Sequence, residues 1–111
     1  MADRIEMKRH DLEPRLVLRC TDAEGAIDIH LASSAKLILS NRLGVKVNST
    51  MAILDDGTEE KRGLVEYTWQ SGDTDTPGDF KTEIEITWPG SRPMTFPSGS
   101  YMVTRITKDL A

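Results

Sequence analysis

The sequence predicts an all-β protein built as an antiparallel β-sandwich, and three observations lead to that prediction. Residues 80–88 alternate between an apolar side, which runs from Phe80 through Ile84 and Ile86 to Trp88, and a charged side. A period of two is typical of a strand, and a charged outer face is typical of an antiparallel sheet with one solvated side. Turn residues recur at intervals of about 8–12 residues, and β-branched residues are common between them.

The totals are consistent with one domain of 111 residues. We expect residues 14–111 to form this domain and residues 1–13 to form an N-terminal arm or an edge strand. The net charge of -4, with both signs interspersed, argues against a nucleic-acid surface. No apolar run approaches the roughly 18 residues of a membrane span, and the first residues lack the apolar core of a signal peptide. We therefore expect synthesis in the cytosol and no membrane partner.

The first predicted strand covers Arg15 to Cys20, because Leu16, Leu18 and Cys20 alternate with residues 15, 17 and 19, two of which are arginines. A turn at Gly25 follows, and residues 26–31 are expected to be extended or irregular. Cys20 is the only cysteine, so an intramolecular disulfide and a zinc site with several thiolates are both excluded. We expect Cys20 to be a small core residue.

The middle of the chain offers a choice between helix and strand. Residues 35–39 could form a short helix capped by Ser33 and Ser34, but the alternation of Leu37 and Leu39 with their neighbours favours a strand. Residues 45–54 are expected to form one or two short strands. Residues 55–62 carry charges and turn residues with almost nothing apolar, which predicts a mobile, solvated loop.

The second half is predicted to contain a β-hairpin. Its arms are residues 63–69 and 79–88, and a turn-rich segment at 73–78 separates them. Residues 94–96 and 100–107 would supply the closing strands after the turn at 89–93. The alternation places eight residues in the core, namely Leu16, Leu18, Val65, Tyr67, Trp69, Phe80, Ile84 and Ile86. About seven short strands with this spacing are the pattern of an immunoglobulin-like sandwich that lacks the cysteine pair of antibody domains.

A search for reactive groups predicts no catalytic residue, no cofactor and no metal site. The chain has no phosphate-binding glycine loop, no metalloprotease motif and no nucleophile elbow, and its two histidines have no obvious nucleophile beside them. Asp73, Asp75 and Asp79 surround a turn and could hold calcium, but bonds from Asp73 and Asp75 to their own backbone are the favoured interpretation. Trp88 or Tyr101 could instead stack on a sugar, which leaves a carbohydrate-binding module as one alternative.

The second half also resembles a known family. The resemblance rests on these motifs, in chain order: Gly63-Leu64-Val65-Glu66-Tyr67, Pro77-Gly78-Asp79-Phe80, the acidic strand 81–87, Met94-Thr95-Phe96-Pro97, Gly99-Ser100-Tyr101 and Asp109-Leu110. Together they resemble the amino-terminal immunoglobulin-like domain of phage baseplate upper proteins. The front half, from Leu16 to Leu39, is similar to that domain in a looser way.

The resemblance implies a non-enzymatic structural protein of a bacteriophage virion, in the tail or baseplate. Its partners would be other virion proteins, including copies of itself in a symmetric assembly. A capsid decoration protein or a head-to-tail accessory protein is the alternative within this class. We expect assembly contacts outside the core, at Arg4, Lys8, Arg9, Asp55, Asp56, Glu59 and Lys61. If so, removal of residues 2–10 should leave the domain folded while reducing incorporation into particles.

Overall fold

The computed structural model describes residues 3–97 and 102–108, and over these residues the chain is all-β, as the sequence predicts. It forms ten strands and, within the described part, no helix. The strands are β1 (Asp3–Lys8), β2 (Leu16–Arg19), β3 (Thr21–Asp22), β4 (Gly25–Ala26), β5 (Ser34–Asn41), β6 (Gly44–Ile53), β7 (Leu64–Tyr67), β8 (Gly78–Trp88), β9 (Arg92–Phe96) and β10 (Met102–Thr107). The predicted strand positions Ser100 and Tyr101, and the Asp109-Leu110 motif, lie outside the described residues.

Most strands belong to one curled sheet with the order β1-β10-β8-β5-β6-β7-β2, and β3 and β4 form a small separate ribbon. Strand β6 makes the curl possible because it serves two neighbours. Its residues from Gly44 to Met51 pair with β5, whereas Ala52 and Ile53 pair with β7. One ten-residue strand therefore connects the β5 side of the sheet to the β7 side.

Strand β8 is the longest of the described strands and lies inside the sheet, with partners on both edges. One edge pairs with β5, and the other edge pairs first with β10, where Thr82 lies opposite Met102, and then with β9, where Ile84 lies opposite Phe96. Strands β9 and β10 thus follow the same edge of β8 in succession. The alternation along β8 buries Phe80, Ile84 and Ile86, and leaves Trp88 half-buried at the end of the strand.

The predicted hairpin between residues 63–69 and 79–88 is wrong. Strand β7 pairs with β2 and β6, whereas β8 pairs with β5, β9 and β10. Each strand alternates because it buries one face in the same core, and not because the two strands pair with each other. The ten residues between them are also far more than the two to five of a usual hairpin loop.

The N-terminal segment is an edge strand rather than a loose arm. Strand β1 pairs in parallel with β10 along its whole length, from Asp3 opposite Met102 to Lys8 opposite Thr107. Met7 is 6% exposed and belongs to the core. Contrary to the expectation from the sequence, we therefore expect removal of residues 2–10 to destabilise the fold, because it would uncover the edge of β10 and take the buried side chain of Met7 out of the core.

Seven of the eight residues assigned to the core from the sequence are buried, and Leu18 is half-buried against that core. Residues 35–39 form part of a strand and not a helix, with Ala35, Leu37 and Leu39 fully buried.

Two threonines, Thr82 on β8 and Thr104 on β10, are also buried, and their hydroxyl groups share a hydrogen bond of 2.7 Å. This bond satisfies both hydroxyl groups where water cannot reach them.

Candidate functional site

The most organised polar group outside the sheet is the carboxylate of Asp55, which is 6% exposed. Its Oδ2 atom accepts hydrogen bonds from the backbone N–H groups of Ile29 and Gly63, each at 2.8 Å, and its Oδ1 atom accepts one from Gly57 at 2.9 Å. Burial alone would raise the pKa of Asp55, but these three donors outweigh it and hold the pKa below its ordinary value. Asp55 is therefore an ionised anchor for two chain segments.

The loop that follows Asp55 closes on this anchor. Gly63 has a φ of +79°, and a Cβ atom there would lie 2.7 Å from the backbone oxygen of Cys20, so only glycine fits. The guanidinium of Arg19 donates to the backbone oxygen of Glu60 at 2.8 Å. Residues 56–62 are exposed, as the prediction of a solvated loop requires, but the segment is held at its start by the buried carboxylate of Asp55 and by a contact to β2.

A second polar pair, Asp28 and His30, lies beside this loop. The Nδ1 atom of His30 lies 2.5 Å from Oδ1 of Asp28, and the same oxygen accepts the backbone N–H of His30 at 3.1 Å. The ring of His30 covers Gly57, where an added Cβ would be 3.3 Å from Cδ2. The sequence analysis assigned no partner to His30 and missed this pair, although an Asp two residues earlier has the spacing of an Asx turn.

Asp28, His30 and Asp55 together bring three possible ligand atoms within 4.8 Å of one another. These atoms already have partners: three backbone N–H groups contact Asp55, and the His30 ring contacts Asp28. Through these bonds the three groups hold residues 28–30 and the loop after Asp55 together. We therefore assign the cluster to loop stabilisation.

The Asp28–His30 pair should make stability depend on pH. The hydrogen bond to Asp28 raises the pKa of His30 in the folded protein. The pair therefore contributes its full stabilisation below the pKa of an unfolded histidine, about 6.5, and loses it as pH rises through the folded-state pKa. The same bond lowers the pKa of Asp28, whose contribution is lost as pH falls through its folded value. Asp55 and Asp56 also favour the protonated ring.

We expect Asp28→Asn to lower the thermal midpoint more at about pH 5.5 than at about pH 9, because attraction between ring and carboxylate adds to their hydrogen bonds only when the ring is charged. Thermal melts of wild type and variant across this range provide the measurement. His10→Asn is the matched control, since His10 is exposed and its φ of 71° suits Asn. An equal loss at both pH values would show that the pair does not titrate as described.

The three carboxylates considered for calcium point to different partners. Asp73 accepts hydrogen bonds from the Tyr67 hydroxyl at 2.5 Å and from the Gln70 backbone at 2.8 Å. Asp75 pairs with Lys46 and with its neighbour Thr76. Asp79 and Arg105 form two hydrogen bonds, of 2.8 and 3.1 Å.

The favoured interpretation of the turn, with Asp73 and Asp75 bonded to their own backbone, therefore holds only for the bond from Asp73 to Gln70. Two of the other partners come from distant strands, because Lys46 lies on β6 and Arg105 on β10. Burial and the hydrogen bond to Asp73 raise the pKa of Tyr67 to about 12, so its hydroxyl stays protonated as the donor. Asp73 and Asp75 thus tie the turn to β7 and β6, and Asp79 links β8 to β10.

The thiol of Cys20 is not available for chemistry. Its side chain is 1% exposed, and burial together with the nearby charge of Asp55 raises its pKa to about 12. A thiol that stays protonated is a poor nucleophile and a poor metal ligand. Cys20 acts as a core residue, in the position that the sequence suggests.

One open pocket lies at the turn between β8 and β9. It is lined by Trp88, Pro89, Arg92, Pro93 and Met94. The Trp88 ring is half-buried and its Nε1 atom is covered, whereas Met94 is 41% exposed. This pocket presents an aromatic edge and one cation, the guanidinium of Arg92. Tyr101, the other aromatic residue considered for sugar binding, lies outside the described residues.

The residues assigned to assembly contacts lie in two groups. Arg4 and Lys8 are exposed on β1, and Arg9 is half-buried just after it. Three loop residues are exposed, namely Asp56, Glu59 and Lys61. Asp55 does not belong with them: its assignment as a surface contact is wrong because its carboxylate is buried and bonded to the backbone.

Comparison with known proteins adds no identification, since no protein-family model matches the chain and no curated protein matches it at a significant level. Within the described residues, the chain forms no helix long and apolar enough to cross a membrane.

Proposed function

We propose that this chain is an immunoglobulin-like β-sandwich that serves as a non-enzymatic structural component of a bacteriophage virion, in the tail or baseplate. The observation that carries the proposal is the strand order. Strands β10, β8 and β5 follow one another as strands G, F and C do in that fold, and the end of β6 with β7 and β2 follows the order D, E and B. The sequence resemblance to baseplate upper proteins supplies the functional class.

The polar groups support a role in binding rather than turnover. Within residues 3–97 and 102–108, the cluster of Asp28, His30 and Asp55 forms the hydrogen bonds that hold a loop. The thiol of Cys20 is buried. A catalytic site needs a base and a nucleophile poised beside a cavity. The mechanism we propose is docking of an edge or face against neighbouring copies in a symmetric assembly.

The test is to locate the protein in purified particles. Particles of the phage that encodes it would be separated into heads and tails, and each fraction quantified by mass spectrometry with an isotope-labelled peptide standard. We expect several copies per particle in the tail fraction. A cryo-EM map of the intact particle would then show whether the chain can be traced in the baseplate.

The two outcomes other than a tail position differ in meaning. Copies confined to the head fraction would support the alternative of a capsid decoration protein or head-to-tail accessory protein. Absence from both fractions, with the protein present in the infected cell, would contradict a structural role in the virion.

A carbohydrate-binding module is the second candidate, favoured by the open pocket beside Trp88. A sugar ring could stack against the exposed part of the indole, with Arg92 available to donate hydrogen bonds to hydroxyl groups. A glycan array with wild type and Arg92→Ala measures this directly. Binding that depends on Arg92 would favour this candidate, and absence of binding to any glycan would remove it.

A further inference from the structure

The outer edge of β1 carries backbone groups that point away from the sheet. The N–H of Arg9 donates to the oxygen of Thr107 at 2.7 Å, so the odd-numbered residues of this segment direct their backbone groups toward β10. Because these directions alternate along a strand, the N–H and C=O groups of Arg4 and Glu6 point outward. Among the residues that the structure describes, β1 ends the sheet and pairs with β10 alone.

The side chains on this edge have a charge pattern that complements itself. Arg4 and Glu6 have side-chain exposures of 52% and 60% and lie on the same face, 3.6 Å apart. If a second copy of β1 lies antiparallel about a two-fold axis at Ile5, Arg4 of each copy lies opposite Glu6 of the other. The same register places the outward backbone groups of Arg4 and Glu6 directly opposite each other.

We propose that this chain forms a two-fold dimer by antiparallel pairing of β1 with β1 of a second copy, centred on Ile5. Four main-chain hydrogen bonds and two Arg4–Glu6 ion pairs hold this interface. It joins the two curled sheets into one continuous sheet across the axis. The proposal deepens the structural role above, and its use in a particle rests on that role.

The neighbouring register is unfavourable on two counts. A two-fold axis at Glu6 would place Glu6 opposite its own copy and Arg4 opposite Lys8, so every charged pair would be repulsive. The oxygen of Lys8 is also engaged already, because it accepts the N–H of Asp11 at 3.0 Å. Only the register centred on Ile5 combines free backbone groups with opposite charges.

The other edges are less suited to pairing with themselves. Self-pairing of β2 about Val17 would place Arg15 opposite Arg19, which is repulsive. Strand β9 contains Pro93, which has no N–H group to donate. The charge pattern therefore selects β1 among the edges considered.

The experiment is a charge-exchange series measured by sedimentation equilibrium on the purified protein, from about 10 μM to about 1 mM. Wild type is expected to dimerise within this range. Arg4→Glu and Glu6→Arg should each raise the dissociation constant by at least about tenfold, because both ion pairs become repulsive. An equimolar mixture of the two variants should regain the dimer, because every cross-axis pair is then attractive. Val17→Glu on β2 is the control and should change nothing.

Recovery of the dimer in the mixture would show that the variants act at the interface and not through a change within one chain. The Arg4–Glu6 contact within each chain stays broken in both variants, whether mixed or alone. Thermal melts at low concentration check that each variant folds. A wild type that stays monomeric up to about 1 mM, or a dimer that survives both reversals, would overturn the proposal. Because purified protein is used, this failure is independent of whether the chain is found in particles.

Discussion

Replacement of Asp55 by Ala is expected to lower the free energy of unfolding by about 3–5 kcal/mol. The substitution would leave the backbone N–H groups of the buried residues Ile29 and Gly63, and of the exposed residue Gly57, without their acceptor. Each unsatisfied buried donor costs roughly 1–3 kcal/mol, and the loop would recover part of this by opening to solvent. The loss should therefore appear as both lower stability and a less protected loop.

Urea melts give the free energy, and hydrogen exchange of the three N–H groups reports the loop. Asp56→Ala is the matched control, because Asp56 is the next residue, is exposed, accepts hydrogen bonds from Thr58 and forms an ion pair with Lys61. We expect that control to cost less than about 1 kcal/mol. Asp55→Asn keeps one acceptor oxygen and should lie between the two. A cost below about 1 kcal/mol for Asp55→Ala would mean that the carboxylate does not anchor the loop.

Trp69→Ala is the second large effect, with an expected loss of about 3–5 kcal/mol. Trp69 is 2% exposed, and its ring meets that of Tyr67 edge to face at a centroid distance of 5.3 Å. Truncation would leave a cavity in the centre of the core and remove that contact. Ile84→Ala, at an equally buried position on β8, should cost about 2–5 kcal/mol.

Trp69→Phe distinguishes the packing from the polar part of the indole. The Nε1 atom of Trp69 is buried and has no hydrogen-bond partner in the described part of the chain. Phe keeps most of the ring and removes this unsatisfied N–H, so it should cost clearly less than Ala. Denaturant melts of the three variants provide the test, and a loss for Trp69→Phe as large as that for Trp69→Ala would contradict this explanation.

The local pattern of the sequence was sufficient for the strand interiors but not for their pairing. Alternation places Phe80, Ile84 and Ile86 on the buried side of β8, and no partner strand is needed to see it. Alternation does not tell which strand pairs with β8, because any strand with one buried face shows the same alternation. The hairpin prediction for β7 and β8 failed for this reason.

The site was harder to predict because its contacts join distant residues through the backbone. Asp55 reaches Ile29, 26 positions earlier in the chain, and every residue type except proline offers the same N–H donor. A charge-rich stretch therefore gave no sign that one of its carboxylates is buried. The one indication in the sequence was Gly63, because a glycine after a charged loop can mark a place where two backbone segments approach closely.

The parallel pairing of β1 with β10 has a consequence for biosynthesis. Strand β10 lies between β1 and β8 in the sheet but leaves the ribosome after both of them. During translation β1 has no strand to pair with, and the edge of β8 that β10 later covers stays open. Unpaired edges of this kind invite wrong contacts with other nascent chains, so chaperones that hold exposed strands would act during this interval. Folding of the sheet is thus completed after chain elongation has passed β10 rather than strand by strand.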